Sequence, residues 1–178
     1  ALCFRKNMQL IKCTKKLQKE MGLKPTDLAK SEPTFSYLGS WHANLIFINR
    51  KKCILFCNDK TLFNFIIPDV TKKQIQNLEA LFKEHLSCVL SAEGFTDSTL
   101  SKIMSEYESI GYANTSSKSV LGSMNDLAFH YKHSILEAGG CHSYLIPNII
   151  SQLNHMPMGA IEYVYSIEAL KALYQNET

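Results

Sequence analysis

The segment WHANLIFINRKKCILFCNDKTLFNFII, residues 41–67, holds three apolar runs (41–48, 53–57 and 62–67) separated by N-R-K-K and N-D-K-T. The runs are rich in Ile, Phe and Cys, and Asn and Asp in the separators tolerate turn geometry, which predicts a three-stranded antiparallel meander. The middle run, C-I-L-F-C, has no polar alternation and reads as a central strand buried on both faces. Such a sheet must be covered on each side.

The covers are predicted to be helices that follow the meander in sequence. Thr71 followed by Gln74 forms a capping box, and Ile75, Leu78, Phe82, Leu86 and Val89 recur at three- and four-residue steps, predicting a helix to about Ala92 that stops at Gly94. Thr96 or Asp97 caps a shorter helix to about Glu108, after which I-G-Y-A-N-T is a strand or an extended link. Ser116 or Ser117 opens the longest helix, with Leu121, Met124, Ala128, Tyr131 and Ile135 on one stripe and Gly139-Gly140 as its stop. Residues 146–153 and 167–173 add two more helices, separated by H-M-P-M-G. Before the meander, M-Q-L-I-K-C (8–13) reads as a strand, Thr14 as the cap of a helix over 15–21, and residues 24–39 as a loop with one helical turn at 26–29. The expected fold is α+β: a small antiparallel meander packed by several helices in a single domain spanning 8–178. The segment ALCFRKN, 1–7, is expected to be a leader outside that domain.

The chain of 178 residues is 46% hydrophobic and 20% charged, which excludes a disordered polymer. A domain of this size removes roughly 70% of its unfolded surface from water, enough for a core without staples. No apolar run approaches the ~18 residues a bilayer demands, and residues 1–7 lack the features of a signal peptide, so a cytoplasmic protein without a membrane span is expected. The six cysteines are scattered with no C-x-x-C pair, as fits reduced, mostly buried thiols.

The net charge of +3 conceals an asymmetry. Residues 1–61 carry 12 basic and 4 acidic side chains, a balance of +8, while residues 62–178 carry 7 and 12, a balance of −5. A basic patch is expected from Lys12, Lys15, Lys16 and Lys19 around the first helix and Arg50, Lys51 and Lys52 at the first hairpin tip. If these regions meet, they offer phosphate-neutralising charge; Lys-rich edges also keep strands from pairing with neighbours.

Three other groups of residues are candidates for chemistry. On the long helix Ser123, Asp126, His130 and His133 share one face, and D-x-x-x-H-x-x-H is a pattern in which a carboxylate orients a histidine or two histidines hold a metal, although a solvated outer face also carries such residues. In S-W-H-A-N, strand alternation sends Trp41 to one side and His42 and Asn44 to the other, where they bind a ligand or cap loose backbone. N-D-K-T presents Asn58, Asp59 and Lys60 together at one end of the sheet, as a ligand site or as plain turn chemistry. An enzymatic pocket would gather His42, Asn58, Asp59, Asn125, Asp126 and His130, with His42, Asp126 and His130 as its catalytic candidates. A Cys–His pair is also open to the fold. The chain has no G-x-x-x-x-G-K-[ST], G-x-G-x-x-G, G-x-S-x-G or H-E-x-x-H, so no cofactor is expected and the metal reading is confined to Asp126, His130 and His133.

The segments M-Q-L-I-K-C-T-K-K-L (8–17), G-S-W-H-A-N-L (39–45), N-D-K-T-L-F (58–63), S-V-L-G-S-M-N-D-L-A-F (119–129) and N-H-M-P-M-G-A (154–160) give the chain a family likeness. It resembles an uncharacterised bacterial family, a domain of unknown function, over residues 8 to about 173. The resemblance implies one domain starting at Met8 and marks W-H-A-N and G-S-M-N-D-L as segments whose polar members exceed what packing requires. It implies no activity.

From the residues, two functions are expected. The first is a binding or interaction module that meets nucleic acid or an acidic protein through its basic half. The second is a small metal- or acid/base-dependent hydrolase or nuclease. Opposite charge on the two halves also predicts a homodimer.

Overall fold

The computed structural model describes residues 8–33 and 35–175, so the expectation for residues 1–7 lies outside the described residues. The meander forms as predicted: β2 (Trp41–Ile48), β3 (Lys51–Asn58) and β4 (Asn64–Ile67) pair antiparallel, with Trp41 opposite Asn58, His42 opposite Cys57 and Cys57 opposite Asn64. Every residue from Cys53 to Asn58 is buried, as the unbroken apolar run requires. The β2–β3 turn places Asn49 and Arg50 at φ 47° and 65°, the left-handed pair that matches the twist of a two-residue hairpin.

The sheet has five strands in the order β4-β3-β2, then β1 (Met8–Cys13) and β5 (Ser109–Asn114), and is mixed rather than wholly antiparallel. Strand β1 runs parallel to both of its neighbours, β2 and β5. The reason lies in the connections. Tight turns force β2, β3 and β4 to alternate direction, whereas β1 reaches each of its partners through helices, and such crossovers permit parallel pairing. β1 is accordingly an interior strand, and I-G-Y-A-N is the strand at the edge.

Alternation then separates two faces. Trp41, Phe56 and Phe65 point to one side, where Phe82 of α3 (Leu78–Ala92) and Tyr107, after α4 (Asp97–Glu106), complete an aromatic cluster with neighbouring centroids 5.0–6.0 Å apart. Trp41 Nε1 donates to Tyr107 Oη at 2.8 Å, and Tyr107 donates to the Gly39 carbonyl at 2.7 Å, so the buried polar tips are satisfied. The helix α1 (Lys15–Met21) lies on this side too, with Met21 Sδ 4.0 Å from Cys13 Sγ.

The opposite side is covered by α5 (Lys118–Glu137) and α6 (Ile146–Asn154). Tyr131 of α5 donates to Asn64 Oδ1 at 2.6 Å, and the Asn154 carboxamide closes on both the backbone and the side chain of Asn64.

The Thr71–Gln74 capping box is present, but the expected helix is two: α2 (Lys72–Gln76) breaks at Asn77, whose φ −111° and ψ 50° are not helical, before α3 begins. Thr96 and Ser117 cap α4 and α5 through their side chains. After α6, H-M-P-M-G starts a two-stranded ribbon, β6 (Pro157–Met158) with β7 (Val164–Tyr165), and α7 (Ser166–Tyr174) follows. Among the described residues no helix is long and apolar enough to cross a membrane.

Candidate functional site

Parallel strands β1 and β5 are neighbours, yet the helices that follow them cover opposite faces of the sheet: α1 the Trp41 side, α5 the His42 side. The carboxyl ends of two such strands diverge into a crevice, the place where open sheets bind ligands. Here the crevice is a cavity of about 490 Å³ with Leu10, Lys12 and Ala113 along the strands, Pro25 and residues 28–32 as one wall and Asn114–Thr115–Ser116 as the other.

One of its lining residues anchors a largely buried polar network. Lys12, 6% exposed, extends from the inward face of β1, and its Nζ lies 2.8 Å from Asp59 Oδ2 and 2.5 Å from Glu32 Oε1. Burial alone would lower the pKa of that ammonium, but the hydrogen bonds to Asp59 and Glu32 outweigh it and hold it above the ordinary lysine value. The other oxygen of Asp59 is 2.6 Å from Nδ1 of His42, a ring with no exposure. His42 Nε2 accepts the backbone N–H of Ser116 at 3.2 Å, which fits a neutral imidazole that carries its proton on Nδ1 and donates it to Asp59. Glu32 also accepts from Ser40 Oγ at 3.1 Å.

The rim continues the network. Thr14 leaves the α1 backbone uncapped and donates instead to Asn44 Oδ1 at 2.9 Å. Asn114 Oδ1 accepts from Lys15 Nζ at 2.7 Å and from Gln18 Nε2 at 3.1 Å. The arrangement holds one buried cation between two carboxylates, of which Asp59 is fixed by His42 while Glu32 stands on an exposed loop.

The candidates from the sequence therefore divide. His42 and Asp59 meet behind the crevice, bonded to its lining residues Ser116 and Lys12, and Asn44 is held by Thr14, while Trp41 belongs to the aromatic core. Asn58 is fully buried and commits its side chain to backbone groups of the loop before β2 and to the N-D-K-T turn, with Oδ1 accepting from Lys60 N and from both Thr61 N and Thr61 Oγ1. Lys60 Nζ clamps the carbonyls of Ser36 and Tyr37 at 2.9 and 2.7 Å.

On α5, Met124, Leu127, Tyr131 and Ile135 face the sheet; Asn125, Asp126, His130 and His133 face solvent, and Ser123 is half-buried. His133 Nε2 sits 3.3 Å from Glu137 and its ring stacks on Phe129, so the expected Asp126–His130–His133 face is not drawn toward His42. Among the described residues no group of three or more His, Cys, Asp or Glu is placed to hold a metal ion. The cysteine opposite His42, Cys57, contacts the Asn58 and Leu62 carbonyls, and burial pushes its thiol well up, so no activated Cys–His pair forms there.

The basic regions do come together. Lys16 Nζ lies 4.5 Å above the ring of Phe47, and Lys52 pairs with Glu20, so α1 rests along the first hairpin. Lys51 pairs with Asp69 at 3.3 Å, and Lys12 is drawn away into the crevice. Among the described residues Lys19 and Arg50 form no ion pair. Phe47, Arg50 and Lys132 of α5 line a shallow groove beside the hairpin tip. The sequence reading placed Lys12 in this patch and missed Glu32, Asn114 and Ser116. The available signal was Lys12 itself, an isolated charge at an inward position of M-Q-L-I-K-C.

The fold and crevice define a class: a mixed-sheet α+β domain with a polar site where two parallel strands part toward opposite faces. Residues 10–169 match the family described as Domain of unknown function (DUF6933), and the chain belongs to that family. No curated protein matches it.

Proposed function

We propose that this domain is a binding module that takes a single-stranded nucleic acid on the face formed by α1 and the β2–β3 hairpin. The observation that carries the reading is the junction of Lys16 with the exposed ring of Phe47, flanked by Lys19 and Arg50. Strands without sequence preference are held by cations along the phosphates and by aromatic rings under the bases, and this face supplies both. Lys132 continues the charge on the other side of the hairpin tip, and Lys15 continues it toward the crevice.

Fluorescence anisotropy with a labelled 15-mer of single-stranded DNA tests the reading. Affinity should fall with added salt at a log–log slope of about −0.7 per neutralised phosphate, roughly −2 to −3 for three or four contacts. Arg50→Glu with Lys16→Glu should remove most of that binding while thermal stability stays within about 0.5 kcal/mol. Absence of binding at low salt, or binding indifferent to salt, rejects it. The same face is the one expected to meet the acidic helices of a second copy in a homodimer, which light scattering at low and high salt would detect.

Hydrolysis at the crevice is a second reading, favoured by the 2.6 Å contact between His42 and Asp59. Both imidazole nitrogens are committed, one to Asp59 and one to Ser116, so a water-activating role would require Ser116 to release Nε2. Phosphodiesterase activity lost in His42→Gln would support this reading; activity unchanged in that variant would reject it.

A further inference from the structure

The crevice where β1 and β5 part already holds a carboxylate, and that carboxylate is the chain's own. Lys12 Nζ lies 2.5 Å from Glu32 Oε1, and Ser40 Oγ donates to Glu32 Oε2 at 3.1 Å, so one planar group takes two donors, one on each oxygen. Both donors belong to fixed parts of the fold. Lys12 sits in the interior strand with Asp59 2.8 Å away on its other side, and the Ser40 carbonyl, just before β2, accepts the Asp59 N–H at 3.0 Å. Both residues are more than nine-tenths buried.

Glu32 is held quite differently. Its side chain is 55% exposed. The start of its loop is tied to β5, where Leu28 bridges to Tyr112 and the Ala29 N–H meets the Tyr112 carbonyl at 2.8 Å, but among the described residues no backbone hydrogen bond reaches residues 30–33. An ion pair with one partner so exposed contributes little to stability, so exchange of Glu32 for another carboxylate is nearly neutral, while Asp59 stays on Lys12 throughout. Glu32 and Lys12 both line the cavity, so a replacement approaches from the open crevice.

Charge and walls define the replacement. Departure of Glu32 removes one negative charge, and a monoanion restores the balance; a phosphate dianion would set a second negative charge beside Asp59. Leu10, Leu28, Ala29 and Ala113 offer apolar walls to the rest of the molecule, and a cavity of about 490 Å³ lies in the range of small-molecule sites. We propose that the crevice binds a small monocarboxylate with an apolar body, whose carboxylate takes the place of Glu32 on Lys12 Nζ and Ser40 Oγ. The inference goes beyond the nucleic-acid reading, uses another part of the molecule and requires no turnover.

Calorimetry and saturation-transfer NMR with phenylacetate, phenethyl alcohol and inorganic phosphate test it. Phenylacetate should bind at millimolar concentration, and the alcohol, with the same ring and no charge, about tenfold more weakly. Because Glu32 competes with the ligand for the same donors, Glu32→Ala should tighten phenylacetate about fivefold. Lys12→Met should abolish the preference for the acid over the alcohol; should that variant not fold, the Glu32→Ala comparison still decides. Equal affinity for acid and alcohol in the native protein overturns the proposal, as does phenylacetate binding that Glu32→Ala leaves unchanged or weakens. Absence of phenylacetate binding in both proteins overturns it too, and so does phosphate that binds Glu32→Ala as tightly as phenylacetate. None of the probes is a nucleic acid or a phosphodiester, so failure of either earlier reading leaves these outcomes as they are.

Discussion

Trp41 and His42 are adjacent in the chain and equally buried, yet they enter two different kinds of interior. On the Trp41 side, aromatic rings meet edge to face and the few polar tips find partners within the cluster. On the His42 side, a lysine of the crevice is linked to an aspartate and a histidine behind it, and Asn64, Tyr131 and Asn154 form a second polar knot beneath α5 and α6. The first interior is stabilised by removal of apolar area from water, which tolerates no voids; the second adds buried charges to its apolar packing, and these hold only while each keeps its partner. Apolar side chains pack on both faces of the sheet, and the buried charges collect on the His42 face.

Mutations should report this division. Trp41→Ala leaves a large void among Phe65, Phe82 and Tyr107 and should cost about 4 kcal/mol in denaturant unfolding. Lys12→Met strands Asp59 beside a neutral side chain and should cost about 3 kcal/mol near neutral pH.

The pH dependence sharpens the second case. Because the folded-state pKa of Lys12 is raised, its contribution is fully present below the unfolded value of 10.5 and is lost as pH climbs through the higher folded value. The native protein should therefore lose stability in that alkaline window, and the difference between native and Lys12→Met should narrow there. A difference that stays constant from pH 7 to pH 11 would show that Lys12 acts through packing alone.

Tyr131→Phe removes the donor to Asn64 Oδ1 and should cost about 1–2 kcal/mol, since the acceptor stays buried. Glu32→Gln is the smallest change: Glu32 is more than half exposed, and solvent already screens its pairing with Lys12, so the loss should be under about 1 kcal/mol. If Glu32→Gln proved as damaging as Lys12→Met, the outer carboxylate would be as structural as Asp59.

Much of the fold could be read from local pattern. The apolar runs at 41–67, the Thr71 capping box and the Ser117 cap each act over a few residues, and all three appear where the sequence put them. The parallel placement of β1 could not be read that way, because no turn next to Met8–Cys13 fixes its neighbours; the choice depends on helices packing elsewhere. The site shows the same limit. His42 and Asp59 were visible as polar residues at strand ends, but their link to Lys12 needs the β1–β2 register, and Glu32 comes from a loop with no periodic signal. The helix face of Asp126, His130 and His133 was legible as a face, and the fold turns it to solvent.

The pairing of β1 with β5 ties residues 8–13 to residues 109–114, some hundred positions later in the chain. Synthesis delivers β1 first and its outer partner only after the meander, α3 and α4 have been made. Until Ser109–Asn114 arrives, one side of β1 is an open strand edge, able to pair with any passing extended segment. Completion of the sheet is therefore a late, long-range event with a high loop-closure cost, and the same event brings Asn114 and Ser116 to the crevice. A nascent chain that stops short of β5 would carry α1 and the β2–β3 hairpin but neither the closed sheet nor the crevice, so the order of assembly is also the order in which the two faces are completed.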